Sequence, residues 1–589
     1  MARRKRSRSL ASALLPSLFR AVTEPASESE TETVFQTMVV FGFGRFQKLV
    51  LLCAEITTFV AYTYSFAVTT DLEPVEHWCR PSAEYSNMSA EAWKNVSVPR
   101  LPGSAARFNS CHRYETPLAP NVTETGADGE GDARVVVACD AWDYDTRMTG
   151  RTVVVHWNLV CDRAWYQQLL SAAFMCAGAL SVPCAGLASN RWGRRPIMWA
   201  SLGALLISGV VTPLAPTAVV FIALRFLSSA AVSALEVVAF VLLFESTPPG
   251  PREAFCALAV CWPTVLAPVY VGFIAYLALD WRICHAGLVA PALSLILTVY
   301  FTEESPHWLI VNKRYHEARR VALWAARINN EEPEVVIERL ELVKEMLAAR
   351  AGKAGTANCD QQEEQHPAAY QPRLRYMSRT VMAHCFVVFS CWFTLYVNYY
   401  YRNLNLPYIS AVKWVIIAAN VPAMTVAYFI IRHHGRREPL VVFLLAVSLL
   451  LLFQAATQFL GLKFPSQLGL MWRELLLNIA YVLLCVHTVA LFPTQIRSVA
   501  FSGAYTFGRL GAMASEAFKV VEDVLPSDLS ALPVGVTAVH MMVFSLLLMT
   551  LSEKALLDEV TGADSRSGVE TPQRRKRKAT ACSMFPLRK

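Results

Sequence analysis

The sequence predicts an all-α integral membrane protein with twelve transmembrane helices in two six-helix halves. Three observations carry this expectation. Of 589 residues, 54% are hydrophobic and 17% charged, with a mean hydropathy of +0.34, too apolar for a water-soluble globule of this length. Twelve apolar runs approach the roughly 20 residues that a helix needs to cross a hydrocarbon core. Only two connections between runs are long, residues 71–163 and 302–379, and the second separates six runs from six. A division of this kind belongs to carriers built from two related halves, with the substrate held between them.

In chain order, residues 1–48 form a cytosolic N-terminal tail. It opens on the basic MARRKRSRSL, and its one apolar stretch is short and broken by Pro16, unlike a signal peptide. The first membrane half, 49–301, holds runs near Leu49–Val68, Tyr166–Ala188, Pro196–Leu214, Thr217–Phe244, Ala254–Leu277 and Ile283–Phe301. The cytosolic loop 302–379 has apolar residues at helical spacing over Tyr315–Asn329 and Glu334–Arg350, the mark of amphipathic helices, followed by a polar tether over 351–372. The second half, 380–552, holds runs near Val381–Tyr401, Ile409–Ile431, Leu440–Leu460, Leu470–Phe492, Val499–Val520 and Pro533–Leu551. Residues 553–589 are a basic cytosolic tail, suited to attraction by anionic lipid.

Lys and Arg set the orientation. The N-terminal cluster, Arg191, Arg194 and Arg195, Arg252, and the stretch Arg432–Arg437 fall on one side if the helices alternate, so that side and both termini are expected in the cytoplasm. Loop 71–163 then lies outside. It carries three glycosylation sequons, at Asn87, Asn95 and Asn121, and four cysteines, Cys79, Cys111, Cys139 and Cys161. An oxidising exterior lets those four pair, in any of three connectivities. The other cysteines lack metal-ligand spacing and read as small apolar packing residues.

Several motifs resemble solute carrier family 22, the organic ion transporters of the major facilitator superfamily. Gly44-Arg45-Phe46-Gln47 before the first helix is similar to the family's G-R-F-Q. Trp157-Asn158-Leu159-Val160-Cys161-Asp162 matches the segment that closes its glycosylated loop, and Glu304-Ser305-Pro306-His307-Trp308-Leu309 resembles E-S-P-R-W-L. The resemblance implies a major facilitator fold, alternating access, a plasma-membrane location and a small organic ion as substrate, with a co-transported or exchanged ion possible.

The resemblance also implies a cytoplasmic clamp of charges. Its D-R-x-G-R-R loop reads Asn190-Arg191-Trp192-Gly193-Arg194-Arg195 here. The second copy reads Arg432 to Arg437, with Arg436 and Arg437 kept, and E-L-Y-P-T-x-x-R becomes Ala490 to Arg497. Three acids are replaced, by Asn190, Arg432 and Ala490, while Glu245 and Arg252 stand where the family has its Glu and Arg. His433 and His434 are read as part of the same clamp.

Charged residues inside apolar runs each cost about 3 kcal/mol at a helix centre on insertion scales, so they are expected to face inward. They are Glu55, Arg225, Glu236, Lys413 and Arg509. Gly508-Arg509-Leu510-Gly511 resembles the R-x-G of anion and carnitine carriers, making Arg509 the candidate for a substrate carboxylate, bound bidentately. Its alternative partner is Glu516. Glu236 and Glu55 are candidates for an ammonium group, so a zwitterion fits as well as a simple ion; a mutual pair with Arg509 or Lys413 is the other reading. Arg225, in an R-F-L match, reads equally as a helix-end anchor near the gate. Trp262, Tyr396, Tyr399 and Trp414 are candidate aromatic contacts, beside Tyr62, Tyr64, Trp392 and Tyr400.

No P-loop, HExxH, CxxC pair, GxSxG or dinucleotide fingerprint occurs, so neither ATP-driven pumping nor an enzyme is expected, and no cofactor, metal or nucleic acid is called for. Two functions remain: a carrier of small organic ions in the lipid bilayer, and a diverged, receptor-like or regulatory relative that binds without turnover.

Overall fold

The computed structural model describes residues 43–73, 75–99, 108–115, 135–146, 150–277, 280–341, 344, 379–403, 411–460, 466–492, 494–524 and 531–551. Their long helices are α1 (Arg45–Asp71), α2 (Trp165–Trp192), α3 (Arg194–Val211), α4 (Ala218–Ser246), α5 (Pro249–Leu277) and α6 (Trp281–Phe301), then α7 (Arg379–Asn403), α8 (Ala411–His434), α9 (Arg437–Phe459), α10 (Ser466–Leu491), α11 (Thr494–Val524) and α12 (Leu532–Thr550). Among the described residues, ten of these are long and apolar enough to cross a membrane; α8 and α11 are not among the ten. Helix α11 carries Arg497, Arg509 and Glu516, whose charges lower its hydropathy without shortening it.

The apolar runs of α1, α2, α5, α10 and α11 grow by about a turn at one end or both, because backbone hydrogen bonds continue where side-chain hydropathy stops. Gly44-Arg45-Phe46-Gln47 therefore does not precede the first helix. Arg45 to Gln47 form its first turn, with Phe46 and Gln47 buried and Gln47 Nε2 donating to the Ser246 carbonyl at 3.4 Å.

The chain divides into two compact units, one holding 45–308 and 385–550, the other holding 1–44, 309–384 and 551–589. In the smaller, Tyr315–Asn329 is the expected amphipathic helix and buries Ala318, Val321, Ala322, Ala325 and Ala326. Residues 333–341 are also helical, while the rest of the second amphipathic segment and the 351–372 tether lie outside the described residues.

In the larger unit, α1 packs on α4, α5 and α6, and α2 and α3 on α4; in the second half, α9 packs on α10 and α12, and α8 on α10. Two seams join the halves, α2 against α11 and α5 against α8. A shift of six helices turns one seam into the other, as expected of two repeats related by a pseudo-twofold axis. The α2–α11 seam is close: a Cβ on Gly186 would run into the Ser502 side chain.

Loop 71–163 holds two short antiparallel pairs. Strand β1 (His77–Cys79) pairs with β4 (Trp142–Tyr144), and β2 (His112–Tyr114) with β3 (Val136–Ala138). Of the three connectivities, the fold selects Cys79–Cys139 and Cys111–Cys161, with Cα separations of 5.5 and 5.6 Å. The Trp157 to Asp162 motif gains a physical reason. Trp157 packs against Phe221 and Trp281, Asn158 turns the chain at φ 52° and accepts the Tyr144 hydroxyl at 3.1 Å, and Cys161 closes a disulfide. Asn87 and Asn95 are exposed, and Asn121 lies outside the described residues.

Candidate functional site

Helix α4 bears three buried charges at three levels. From Arg225 to Glu236 is about 16 Å of helix, and from Glu236 to Glu245 about 13 Å. Each sits in a different polar cluster, so the helix measures out the two ends and the middle of the bundle.

At the Glu245 end, the loops joining α2 to α3, α4 to α5, α8 to α9 and α10 to α11 supply a charge network. Arg194 donates to Glu245 Oε1 at 2.9 Å and to Ser498 Oγ at 3.2 Å, and Arg497 approaches the same carboxylate at 3.6 Å. Arg436 pairs with Glu253. Both arrangements cross from one half to the other. Arg195 pairs with Glu303 at 2.9 Å, and Glu304 accepts from the backbone N–H groups of Arg194 and Arg195 at 2.8 and 3.1 Å. That contact requires glycine at 193, where φ is +104° and a Cβ would run into Glu304. Burial pushes the Glu304 carboxyl above its ordinary value. It pushes His307, which stands where the motif has arginine, down to about 4.

Several expected clamp residues take other positions. Arg191 is exposed and lies over the neighbouring Trp192 ring at 5.8 Å, outside the network. Arg252 donates to the Thr247 carbonyl at 2.8 Å and stacks on Phe244, and Arg437 donates to the last carbonyls of α12, Leu548 and Met549. Arg432 bonds Tyr428 one turn back, and His433 and His434 are exposed. The three replaced acids therefore leave a network that converges on Glu245, with Glu304 of the E-S-P-R-W-L match beside it and Glu253 and Glu303 as further acids outside any motif.

The opposite end corrects the placement of Arg225. Its Nη2 donates to the Tyr64 carbonyl at 3.2 Å and lies 3.4 Å from Asp71 Oδ2, while His285 Nε2 meets Asp71 Oδ1 at 2.9 Å. This cluster joins α1, α4 and α6 beneath loop 71–163, far from the clamp. Asp71 and His285 escaped sequence reasoning because each falls at the edge of an apolar run, where a polar residue is ordinary.

Between the two ends is a narrow cleft. It is lined by Thr58 of α1, Glu236, Val237 and Phe240 of α4, Val260 of α5, Trp392 of α7, Tyr481 and Cys485 of α10, and Phe501 and Tyr505 of α11. Helices from both halves thus contribute. Among the described residues of this lining, Glu236 is the only charged one. Its Oε2 accepts from the Tyr505 hydroxyl at 2.7 Å, and Tyr505 in turn accepts from Arg509 Nη2 at 2.6 Å. Trp392 is held by its Nε1 donating to Thr488 Oγ1 at 2.9 Å, and it packs against Tyr396, Tyr481, Phe501 and Tyr505.

The candidate substrate residues separate accordingly. Glu236 lines the cleft, and Tyr396 lies buried behind Trp392. Arg509 is 3% exposed and behind Tyr505, with no part in the lining; its pairing is with Glu236 through a hydroxyl. Trp262 is corrected: 51% exposed, it faces away from the bundle interior. Glu55 is half-buried and outside the lining, and Tyr399 is half-buried against Tyr400. The side chains of Lys413 and Trp414, on α8, lie outside those described. Tyr505 was legible in principle, since it precedes Arg509 by four residues on one face of α11; Tyr481, Phe240 and Phe501 carried no signal beyond ordinary core aromatics.

Two six-helix halves with a charged, aromatic cleft at mid-depth define a multi-pass membrane carrier. The chain belongs to the sugar (and other) transporter family, which it matches over residues 103–552. Its curated relatives bear out the resemblance to solute carrier family 22. Solute carrier family 22 member 7 of Sus scrofa is 25% identical over 80% of this chain and 85% of its own length. Organic cation/carnitine transporter 2 of Homo sapiens is 26% identical over 81% of this chain and 84% of its own length. The fold matches that of the MFS (major facilitator superfamily) proton:xylose symporter XylE bound to 6-bromo-6-deoxy-D-glucose. The TM-score is 0.56 at 15% identity, with 87% of this chain and 99% of that one covered.

Proposed function

We propose that this chain carries small organic ions across the plasma membrane by alternating access, with both termini cytoplasmic and loop 71–163 outside. The observation that carries the reading is the Glu236 cleft, built by helices of both halves and backed at the Glu245 end by charge pairs that bridge the halves. Breaking those pairs while the halves rock opens the cleft to the cytoplasm. The relatives include organic cation/carnitine transporters, which supports an ionic organic substrate. A co-transported or exchanged ion is compatible with the same helices.

The test is uptake of a panel of labelled organic cations, anions and zwitterions by cells expressing the chain, against mock-transfected cells. Uptake of at least one member that saturates with concentration is expected. No uptake of any member at verified surface expression overturns carriage and favours a receptor-like relative. The three replaced clamp acids at Asn190, Arg432 and Ala490 motivate that second reading.

A further inference from the structure

We propose that Tyr505 sets the sign of charge this cleft accepts, holding Arg509 behind it so that Glu236 is the charge its described lining turns to the occupant, and that the occupant is a small organic cation. The inference rests on the transport reading for the identity of the site, and its test reads binding separately from transport.

The two terminal nitrogens of Arg509 are engaged behind Tyr505. Its Nη2 donates to the Tyr505 hydroxyl at 2.6 Å and lies 3.4 Å from Ser233 Oγ, and Nη1 lies 3.5 Å from Met175 Sδ. The guanidinium packs over the Tyr505 ring at 5.0 Å and the Phe174 ring at 5.8 Å. Gly178 of α2 makes the room: a Cβ there would stand 3.2 Å from Arg509 Nε. An arginine so enclosed presents no bidentate edge to a carboxylate in the cleft.

The described lining of the cleft carries one carboxylate and five aromatic rings. Glu236 is the one formal charge of that described lining, and Phe240, Trp392, Tyr481, Phe501 and Tyr505 add rings of a kind whose faces attract cations. The Tyr505 hydroxyl spaces the two charges, donating to Glu236 at 2.7 Å and accepting from Arg509. A cation touching the carboxylate is then roughly twice as far from the guanidinium, and Coulomb energy falls as the inverse of distance, so attraction outweighs repulsion about two to one. An anion meets the reverse balance. The cleft is narrow as it stands, which favours a small ammonium compound that enters as the halves part.

Without the hydroxyl, the hydrogen-bonded spacer between Arg509 and Glu236 is lost, and their direct pairing would cancel the field. Tyr505 is thus a positioning residue, and a charge series of constant shape tests it. The probes are choline, its uncharged isostere dimethylbutanol and the anion dimethylbutanoate, titrated calorimetrically into the purified full-length protein. Choline is expected to bind at least tenfold tighter than either of the others. Glu236→Gln should bring choline to the affinity of the alcohol, and Tyr505→Phe should shrink the preference several-fold. Tighter binding of dimethylbutanoate, binding of none of the three, or an equal loss of all three in Tyr505→Phe would overturn the proposal. Uptake of the same probes separates the two readings. Choline binding without uptake counts against transport alone, whereas uptake of the anion ahead of choline counts against the cation site alone.

Discussion

The Arg194 guanidinium donates to the Glu245 carboxylate at 2.9 Å with both side chains wholly buried. The same oxygen lies 3.6 Å from Arg497, across the boundary between halves, so one acid serves two arginines. Replacing Glu245 by Gln leaves both cations buried without a counter-charge, which typically costs 3–5 kcal/mol, about the whole stability of a marginal protein. The expected result is a lowered melting temperature of the purified protein. A cysteine introduced beside Ser498 should also react faster with a membrane-impermeant thiol reagent applied from the clamp side. An unchanged labelling rate would count against Glu245 as the latch.

Gly193→Ala probes the contact between Glu304 and the start of α3. At φ +104° an alanine is strained, typically by about 1–3 kcal/mol, and its Cβ displaces the carboxylate that holds two backbone N–H groups. Gly203 of α3 is the control, since a Cβ there meets nothing within 4 Å. Gly203→Ala should leave the melting temperature unchanged or slightly raised, because alanine favours helix by about 0.5–1 kcal/mol. Equal effects at the two positions would mean the left-handed turn is not what matters.

His307 predicts a pH dependence of stability. Burial lowers its pKa from 6.5 to about 4, so the folded chain keeps the imidazole neutral where the unfolded chain already binds a proton. The contribution is therefore complete above pH 6.5 and is lost as pH falls toward 4, by roughly 3 kcal/mol in all at 1.36 kcal/mol per unit. Thermal unfolding from pH 7.5 to pH 4.5 should show it as a falling midpoint, and His307→Asn should flatten that fall. A midpoint equally steep in the variant would assign the dependence to other groups.

Loop 71–163 should yield disulfide-linked peptides joining Cys79 to Cys139 and Cys111 to Cys161 on digestion without reduction. Any other pairing found by mass spectrometry would contradict the fold of this loop. Replacing Cys111 and Cys161 together by Ser frees a 50-residue separation, which loop entropy puts at about 4 kcal/mol. The return segment that packs Trp157 on Phe221 and Trp281 should then become sensitive to protease.

The helices and their division into six and six were legible because a membrane span is a local property. Length and hydropathy of one run decide it, whatever the run packs against. The motifs were legible for a similar reason: Gly193, Trp157 and Glu304 answer to backbone turns and contacts at fixed offsets. Helix ends were less so, as Arg45 to Gln47 show, since hydrogen bonding runs past the apolar face.

The site was legible only in part. Glu236 stood out because a carboxylate in an apolar run is costly, and it lines the cleft. Arg509 stood out for the same reason, yet the same cost drove it behind Tyr505. Trp262 shows the converse: an aromatic ring in a lipid-facing position costs nothing, so its presence on an apolar helix carried no information about facing. Sequence alone determined that the chain crosses the membrane as two sets of helices and that a few charges must be turned inward. The tertiary structure alone decided which way each charge points and what it meets, because Glu236 and Tyr505 are 269 residues apart and only the packing of α4 against α11 brings a carboxylate within 2.7 Å of a hydroxyl.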